Sequence, residues 1–203
     1  MTEQIPQMID LLFDLEGSML PVAYPFALWE ALTQRVPELA EDESTGILPL
    51  RGTGNKEGLL LTKRAKLVMR LPTRLAGSTA ARLTGQQLDI AGRTVRLGAA
   101  KERPIYSFPT VHSQLVAGAS DELLFVENIN EQLDRMGIKG KLICGKRRSI
   151  GDESRSVQGF SLVIHDLKAE DSLRLQFTGL GTDRHFGCGI FVPSKVISGL
   201  SED

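Results

Sequence analysis

The chain has 203 residues, 41% of them hydrophobic and 24% charged, with a formal net charge of −1. That is ordinary composition for a folded globular chain, long enough for one domain or two small ones. No apolar run is long enough to cross a bilayer, the first residues lack the basic region of a signal peptide, and two cysteines, Cys144 and Cys188, make no disulfide framework.

The expected setting is therefore the reducing cytoplasm, away from membranes. No Cys/His cluster has zinc-ligand spacing, so neither metal nor cofactor is expected. The charge is unevenly spread. Residues 1–50 hold nine acidic residues against one basic, Arg35, a balance of −8; residues 51–203 hold 23 basic and 16 acidic, a balance of +7. A near-neutral total can thus hide a basic surface of the kind that phosphates feel.

In chain order, Met8 to Leu15 reads as a first strand ended by Gly17-Ser18. Pro25 suits the first turn of a helix through Thr33, with Tyr24 at its N-terminal edge. Trp29 falls in the apolar pattern of that helix and reads as core. Ile47–Leu50 and Leu59–Leu61, separated by glycines, read as a hairpin or strand pair, and Lys66–Leu71 as strand. Pro72-Thr73 opens a helix closed by Gly85; Leu88–Ile90 and Thr94–Leu97 end this half. After Pro104 and Pro109, Val111–Val116 is a strand. Ser120-Asp121 caps a helix to about Met136, with Gly137 as its stop. Leu142–Cys144 and Val157–Ile164 are strands joined by a basic, polar turn from Lys146 to Arg155. A helix over Leu167–Phe177 is closed by Gly179.

A cationic loop follows, with Gly179, Gly181, Gly187 and Gly189 in a G-x-G-x5-G-x-G pattern around Arg184 and His185, and then a strand from Ile190 to Val192. Glycines let backbone approach a ligand closely, and consecutive free N–H groups can cradle a phosphate. A dinucleotide fingerprint would follow a strand and open a helix; this loop follows a helix and opens a strand, which argues against a cofactor enzyme. The halves repeat one plan, strand–helix–strand–strand–helix–strand. The expected fold is α+β, two tandem ferredoxin-like domains over 1–100 and 101–203, a plan shared with RNA-recognition modules whose aromatic sheet signature is not visible here. A single continuous α/β sheet is the alternative.

Several stretches together resemble a known family: Asp10-Leu11-Leu12-Phe13-Asp14-Leu15-Glu16-Gly17, Pro21 through Ala27-Leu28, Gly145-Lys146-Arg147-Arg148, Glu170 to Gln176, and Gly179-Leu180-Gly181 with Gly187-Cys188-Gly189-Ile190-Phe191-Val192-Pro193. They are similar to the CRISPR-associated repeat-RNA endoribonucleases, the Cas "six" family, and most to its MYXAN subtype. The resemblance implies an enzyme that binds the repeat of a CRISPR precursor transcript, cuts it once per repeat without metal, and often keeps the mature guide RNA, with other Cas proteins of an effector complex as further partners. Where the family carries a general-base His just before the first helix, this chain has Tyr24. A non-catalytic guide-RNA-binding subunit is therefore the alternative.

Cleavage by the ribose 2′-OH needs a base, cations for the charged phosphorane and an acid for the leaving 5′-oxygen. Three residues are candidates. His185 lies in the glycine loop, and His titrates near neutrality. His112 stands on a strand, as a sheet-face residue or a catalytic one. Tyr24 can orient the 2′-OH or donate a proton. His165, at a strand-to-helix corner, reads as structural, and Cys188 as a small buried filler. Lys139, Lys141, Lys146, Arg147, Arg148 and Arg155 form the densest basic cluster, suited to a phosphate backbone, with Arg184 and the four loop glycines as further RNA contacts.

Overall fold

The computed structural model describes residues 5–194, so the outer ends of both expected domains lie outside the described residues. Strand β1 (Met8–Glu16) is followed by the short β2 (Met19–Leu20) and helix α1 (Tyr24–Arg35). Then come β3 (Gly46–Ile47), β4 (Gly52–Asn55), β5 (Gly58–Leu61), β6 (Lys66–Pro72), α2 (Thr73–Leu83), β7 (Gln87–Ile90) and β8 (Arg93–Arg103). The remainder is β9 (Val111–Ala117), α3 (Glu122–Arg135), β10 (Lys141–Gly151), β11 (Ser156–His165), α4 (Ala169–Thr178) and β12 (Val192–Pro193). The fold is mixed α+β with antiparallel sheets.

One sheet has the order β3-β6-β1-β8-β7 and a second the order β10-β11-β9-β12. Leaving aside the edge strand β7, both place their strands in the same sequence: second, third, first, fourth. With the small third sheet β2-β5-β4, three sheets among the described residues replace the single continuous sheet weighed above. Each of the two larger sheets has its own core, the first gathered from Leu11 to Leu97 and the second from Val111 to Phe191. In β1, Leu11, Phe13 and Leu15 recur at the strand period of two and are buried. Asp121 caps α3 by accepting the Leu124 N–H at 3.0 Å.

Four local expectations change. Ile47 pairs with Met69 of β6, while β5 folds back on β4 as a hairpin. β8 runs past Leu97 to Arg103 because Gly98, lying against Asp14, lets it follow a register shift in β1 between Phe13 and Leu15. β10 continues through Lys146, Arg147 and Arg148 to Gly151, so these cations ride on a strand and the turn is only Asp152 to Arg155. The last strand begins at Val192 rather than Ile190, because the Phe191 carbonyl accepts from Arg70 of the other sheet.

That hydrogen bond belongs to the junction of the halves. Arg70 and Asp10, 1% and 2% exposed, form a two-point ion pair, Nε to Oδ1 at 2.7 Å and Nη2 to Oδ2 at 3.1 Å. Arg103 adds a second guanidinium to Asp10 at 2.9 Å. Arg70 then reaches across with Nη1 to the carbonyls of Gln176 and Phe191. Arg70→Met is expected to cost about 3–5 kcal/mol, the usual effect of stranding one buried charge. Urea unfolding checks this, and the variant is expected to show a broader or two-step transition as the halves uncouple.

Candidate functional site

The start of α1, the β10–β11 turn and the single turn Arg184–Phe186 enclose a groove of about 860 Å³ lined by Val22, Phe26, Trp29, Ala91, Arg155 and Phe186, among others. Phe26 and Phe186 meet edge-on with centroids 4.8 Å apart, and the Arg155 guanidinium carbon lies 4.2 Å over the first ring and 4.7 Å over the second. This cation–π cluster ties the hairpin to α1. Behind it Trp29 stacks on His185, 4.1 Å apart and 5° from parallel. The sequence pattern assigned Trp29 to the core. The ring is half-buried: it packs against the first core as expected and also meets the glycine loop at His185.

His185 Nε2 lies 3.2 Å from the Asp42 carbonyl oxygen. A carbonyl only accepts, so Nε2 carries the proton and the neutral ring keeps its lone pair on Nδ1. The Asp42 backbone is itself fixed. Its Oδ1 accepts the N–H groups of Ser44 and Thr45, each at 3.0 Å, and its Oδ2 pairs with Arg74. Arg184 seals the same joint, donating from Nε to the Ser44 carbonyl at 2.8 Å and from Nη2 to the Phe177 carbonyl at 2.9 Å. Burial, and after it the charge of Arg70, pulls the Arg184 guanidinium down to about 9, still cationic at neutral pH. Arg184 is thus a docking group between the halves, its Nε and Nη2 donors used on backbone carbonyls of both.

The glycine loop also differs from a phosphate cradle. Gly179 donates to the Leu175 carbonyl, Gly181 to Gln132 Oε1, Gly187 to the Arg184 carbonyl and Gly189 to the Leu115 carbonyl. All four glycine N–H groups are used inside the fold and are not free to cradle a phosphate. What requires glycine is packing: at Gly179 and Gly189, with φ of +74° and +65°, an added Cβ would strike the Gly189 and Leu180 carbonyls respectively.

Tyr24 opens α1 and accepts the Leu50 N–H at 3.0 Å on its phenol oxygen. Burial raises its pKa above the ordinary value although the Leu50 hydrogen bond pulls the other way. At neutral pH it is a protonated donor and no base. His112 lies between Val163 of β11 and Val192 of β12, its Nδ1 buried without a partner among the described residues. Burial, then the Arg51 charge, lowers its pKa. His165 Nδ1 lies 3.2 Å from Asp166 at the corner before α4, and Cys188 is fully buried, its thiol pushed up to about 12 by burial.

The basic cluster divides. Lys139, Lys141, Lys146, Arg147 and Arg148 are exposed along β10 and just before it. Lys141 pairs with Asp166 at 3.1 Å and Arg147 donates to Gln158 at 2.8 Å, whereas Lys146 and Arg148 make no ion pair among the described residues. Arg155 leaves the cluster for the groove. Among the described residues no three His, Cys, Asp or Glu side chains gather as a metal site, and no helix is long and apolar enough to cross a membrane.

Gly189→Ala is expected to lower stability by more than the roughly 1–2 kcal/mol of left-handed backbone alone, since the Leu180 carbonyl must also move. Gly54→Ala, which meets nothing within 4 Å, stays within about 0.5 kcal/mol of the parent. Parallel urea titrations of the two variants check the contrast.

Comparison with known proteins shows which family the chain resembles. A relative 36% identical over 187 residues, covering 91% of this chain and 81% of its own length, is the CRISPR-associated endonuclease Cas6 of Myxococcus xanthus. Among solved structures, a CRISPR-associated Cas6 protein superposes with a TM-score of 0.66 at 12% identity, covering 93% of this chain and 100% of its own. A Cas6-related protein from Pyrococcus furiosus gives 0.65 at 12% identity over 95% and 99% of the two chains, and Thermus thermophilus Cse3, bound to an RNA representing a pre-cleavage complex, gives 0.55 at 15% over 92% and 98%. The Cas6 CRISPR family profile matches residues 9–196, so the chain belongs to the Cas6 family of CRISPR endoribonucleases.

Proposed function

We infer that this chain folds as two ferredoxin-like domains, dividing near residue 100, and cuts the repeat of a CRISPR precursor transcript by metal-independent attack of a ribose 2′-OH. The 2′-oxygen bonds to phosphorus, the bond to the 5′-oxygen breaks, and the products carry a 2′,3′-cyclic phosphate and a 5′-OH. The observation that carries this reading is His185, held in one tautomer by the Asp42 carbonyl and stacked on the Trp29 wall of the groove. A fixed ring with a lone pair on Nδ1 suits a general base.

Tyr24, protonated at neutral pH, orients the 2′-OH or supplies the proton for the leaving oxygen. His112, neutral near pH 7 by the direction of its shift, is the second candidate base. Lys139, Lys141, Lys146, Arg147 and Arg148 form the track for the phosphate backbone. The loop glycines act by rigid shape, and holding RNA in line supplies much of the rate. The mature guide RNA and other Cas proteins of an effector complex are the proposed partners, and the cytoplasm the proposed setting.

One observation favours a second reading, a guide-RNA holder that does not cut. The position where the resemblance calls for a catalytic His carries Tyr24, and its buried phenol cannot act as a base near neutral pH.

The test is cleavage of the cognate repeat in EDTA. Cutting is expected with ribose at the cut nucleotide and none with 2′-deoxyribose there. Survival of cutting on the deoxy substrate overturns the chemistry, and tight binding without cutting establishes the holder. His185→Ala is expected to slow single-turnover cleavage at least tenfold and more than Tyr24→Phe or His112→Ala. If none of the three slows it tenfold, the assignment fails. Lys146→Gln with Arg148→Gln is expected to weaken repeat binding. It should also flatten the plot of log K against log salt by about 0.7–0.9 for each phosphate no longer neutralised, measured by filter binding across a salt series.

A further inference from the structure

The groove at the start of α1 has a character that the phosphate track lacks. Its ionisable lining residues are Glu30, Asp152 and Arg155, two carboxylates against one guanidinium. A phosphate would meet net repulsion there. The remaining lining is mostly apolar, with Thr33 and Ser154 as its uncharged polar residues. Phe26 and Phe186 present ring faces to Arg155, and Trp29 closes one side with its opposite face taken by His185. Arg155 is held with its guanidinium carbon over two rings and remains exposed, so a planar cation borders the groove. Planar cations and aromatic rings are what unpaired bases stack on, whereas a paired stem offers them no base face.

The rim supplies hydrogen-bond acceptors. Asp152 Oδ1 is occupied, accepting the N–H groups of Ser154 and Arg155 at 2.9 and 3.2 Å. Its Oδ2 has no partner among the described residues, and neither has the Glu30 carboxylate. Carboxylate oxygens accept the exocyclic amine of adenine, cytosine or guanine; guanine adds a neighbouring ring N–H, and uracil has no such amine.

We propose that this groove is a specificity subsite that takes one unpaired, amine-bearing nucleobase of the repeat RNA, stacked against the Phe26–Arg155–Phe186 cluster and read at its edge by Glu30 and Asp152. The proposal rests on the chain binding repeat RNA and is independent of which residue is the base. The subsite fixes the register of the RNA. A nucleotide anchored here, one stacked ring from His185, sets which phosphodiester reaches the catalytic groups.

The test uses the full chain and its cognate repeat, with each unpaired nucleotide made abasic in turn. One position is expected to lose about tenfold or more in affinity, the scale of one base–aromatic stack. That loss is expected to shrink to less than about threefold in Phe26→Leu, which keeps apolar volume without a ring face, and in Arg155→Met. 2-Aminopurine placed at the same position in the unaltered protein is expected to lose fluorescence on binding, a readout that needs no variant. Uridine there is expected to bind more weakly than the other three bases, and Glu30→Gln to narrow the gap. Tight binding with no position both quenched and coupled to Phe26 overturns the subsite. Uridine binding as well as the others overturns the edge reading. Failure of the unaltered repeat to bind at all overturns the functional reading above, and the subsite with it.

Discussion

The two-point ion pair of Arg70 and Asp10 holds the rest of the molecule in place. Both side chains are taken out of water on the central strands β1 and β6. A buried pair is weak evidence of stability by itself, because desolvation offsets the attraction. Here the guanidinium's remaining donor is used for carbonyls of the other half, at Gln176 in α4 and Phe191 before β12. A lysine could not do this. Its single ammonium cannot face a carboxylate along a planar fork and still point one N–H outward in a fixed direction. The pair therefore sets where α4 ends and where the last strand begins. The residues between those points are the glycine loop, so the aim of the loop is decided at Arg70.

Arg184 shows how tightly that joint is made. A second guanidinium lies close enough to Arg70 for their charges to lower its pKa, and both donate to the Gln176 carbonyl. The negative charges of Asp10 and Asp42 pull in the other direction and let two cations share the junction. The acidic balance of the first 50 residues gains a physical meaning here. Asp10 and Asp42 are buried acceptors that orient Arg70, Arg103 and Arg74, so part of that charge serves the interior. The cations left exposed along β10 then stand largely without local compensation, as a phosphate track requires.

Much of the scaffold was legible. Pro25, Pro72 and Ser120-Asp121 mark the starts of α1, α2 and α3, and Gly85, Gly137 and Gly179 the ends of α2, α3 and α4, because caps and fixed φ angles are local chemistry. Strand lengths were less legible. Gly98-Ala99-Ala100 and Lys146-Arg147-Arg148 show no alternation, yet both are hydrogen-bonded strand, held by neighbours far along the chain. The site was half legible. His185, Tyr24 and the basic cluster were marked by residue type, and the groove connects to two of them. The stack that builds the groove left no local signal, since Phe26, Trp29, Arg155 and Phe186 come from three separate segments. The glycine loop misled for a related reason. A pattern shows that backbone must pass close to something, and here that something is other backbone.

The four glycine N–H groups of the loop are spent inside the fold, so a phosphate contact cannot come from them and recognition must draw on other groups. Lysines and arginines along β10 can hold a phosphate backbone, but such contacts carry little sequence information. An endoribonuclease acting as proposed, at one bond per repeat, needs a register as well as affinity. In this fold the register can come from a shaped feature close to the catalytic groups. The groove beside His185, lined by two carboxylates and one guanidinium, is the feature proposed for that part. The rigid loop beside it then has a definite role: it fixes His185 relative to Trp29, so that a base placed against the groove wall is already at a set distance from the ring that would take the proton.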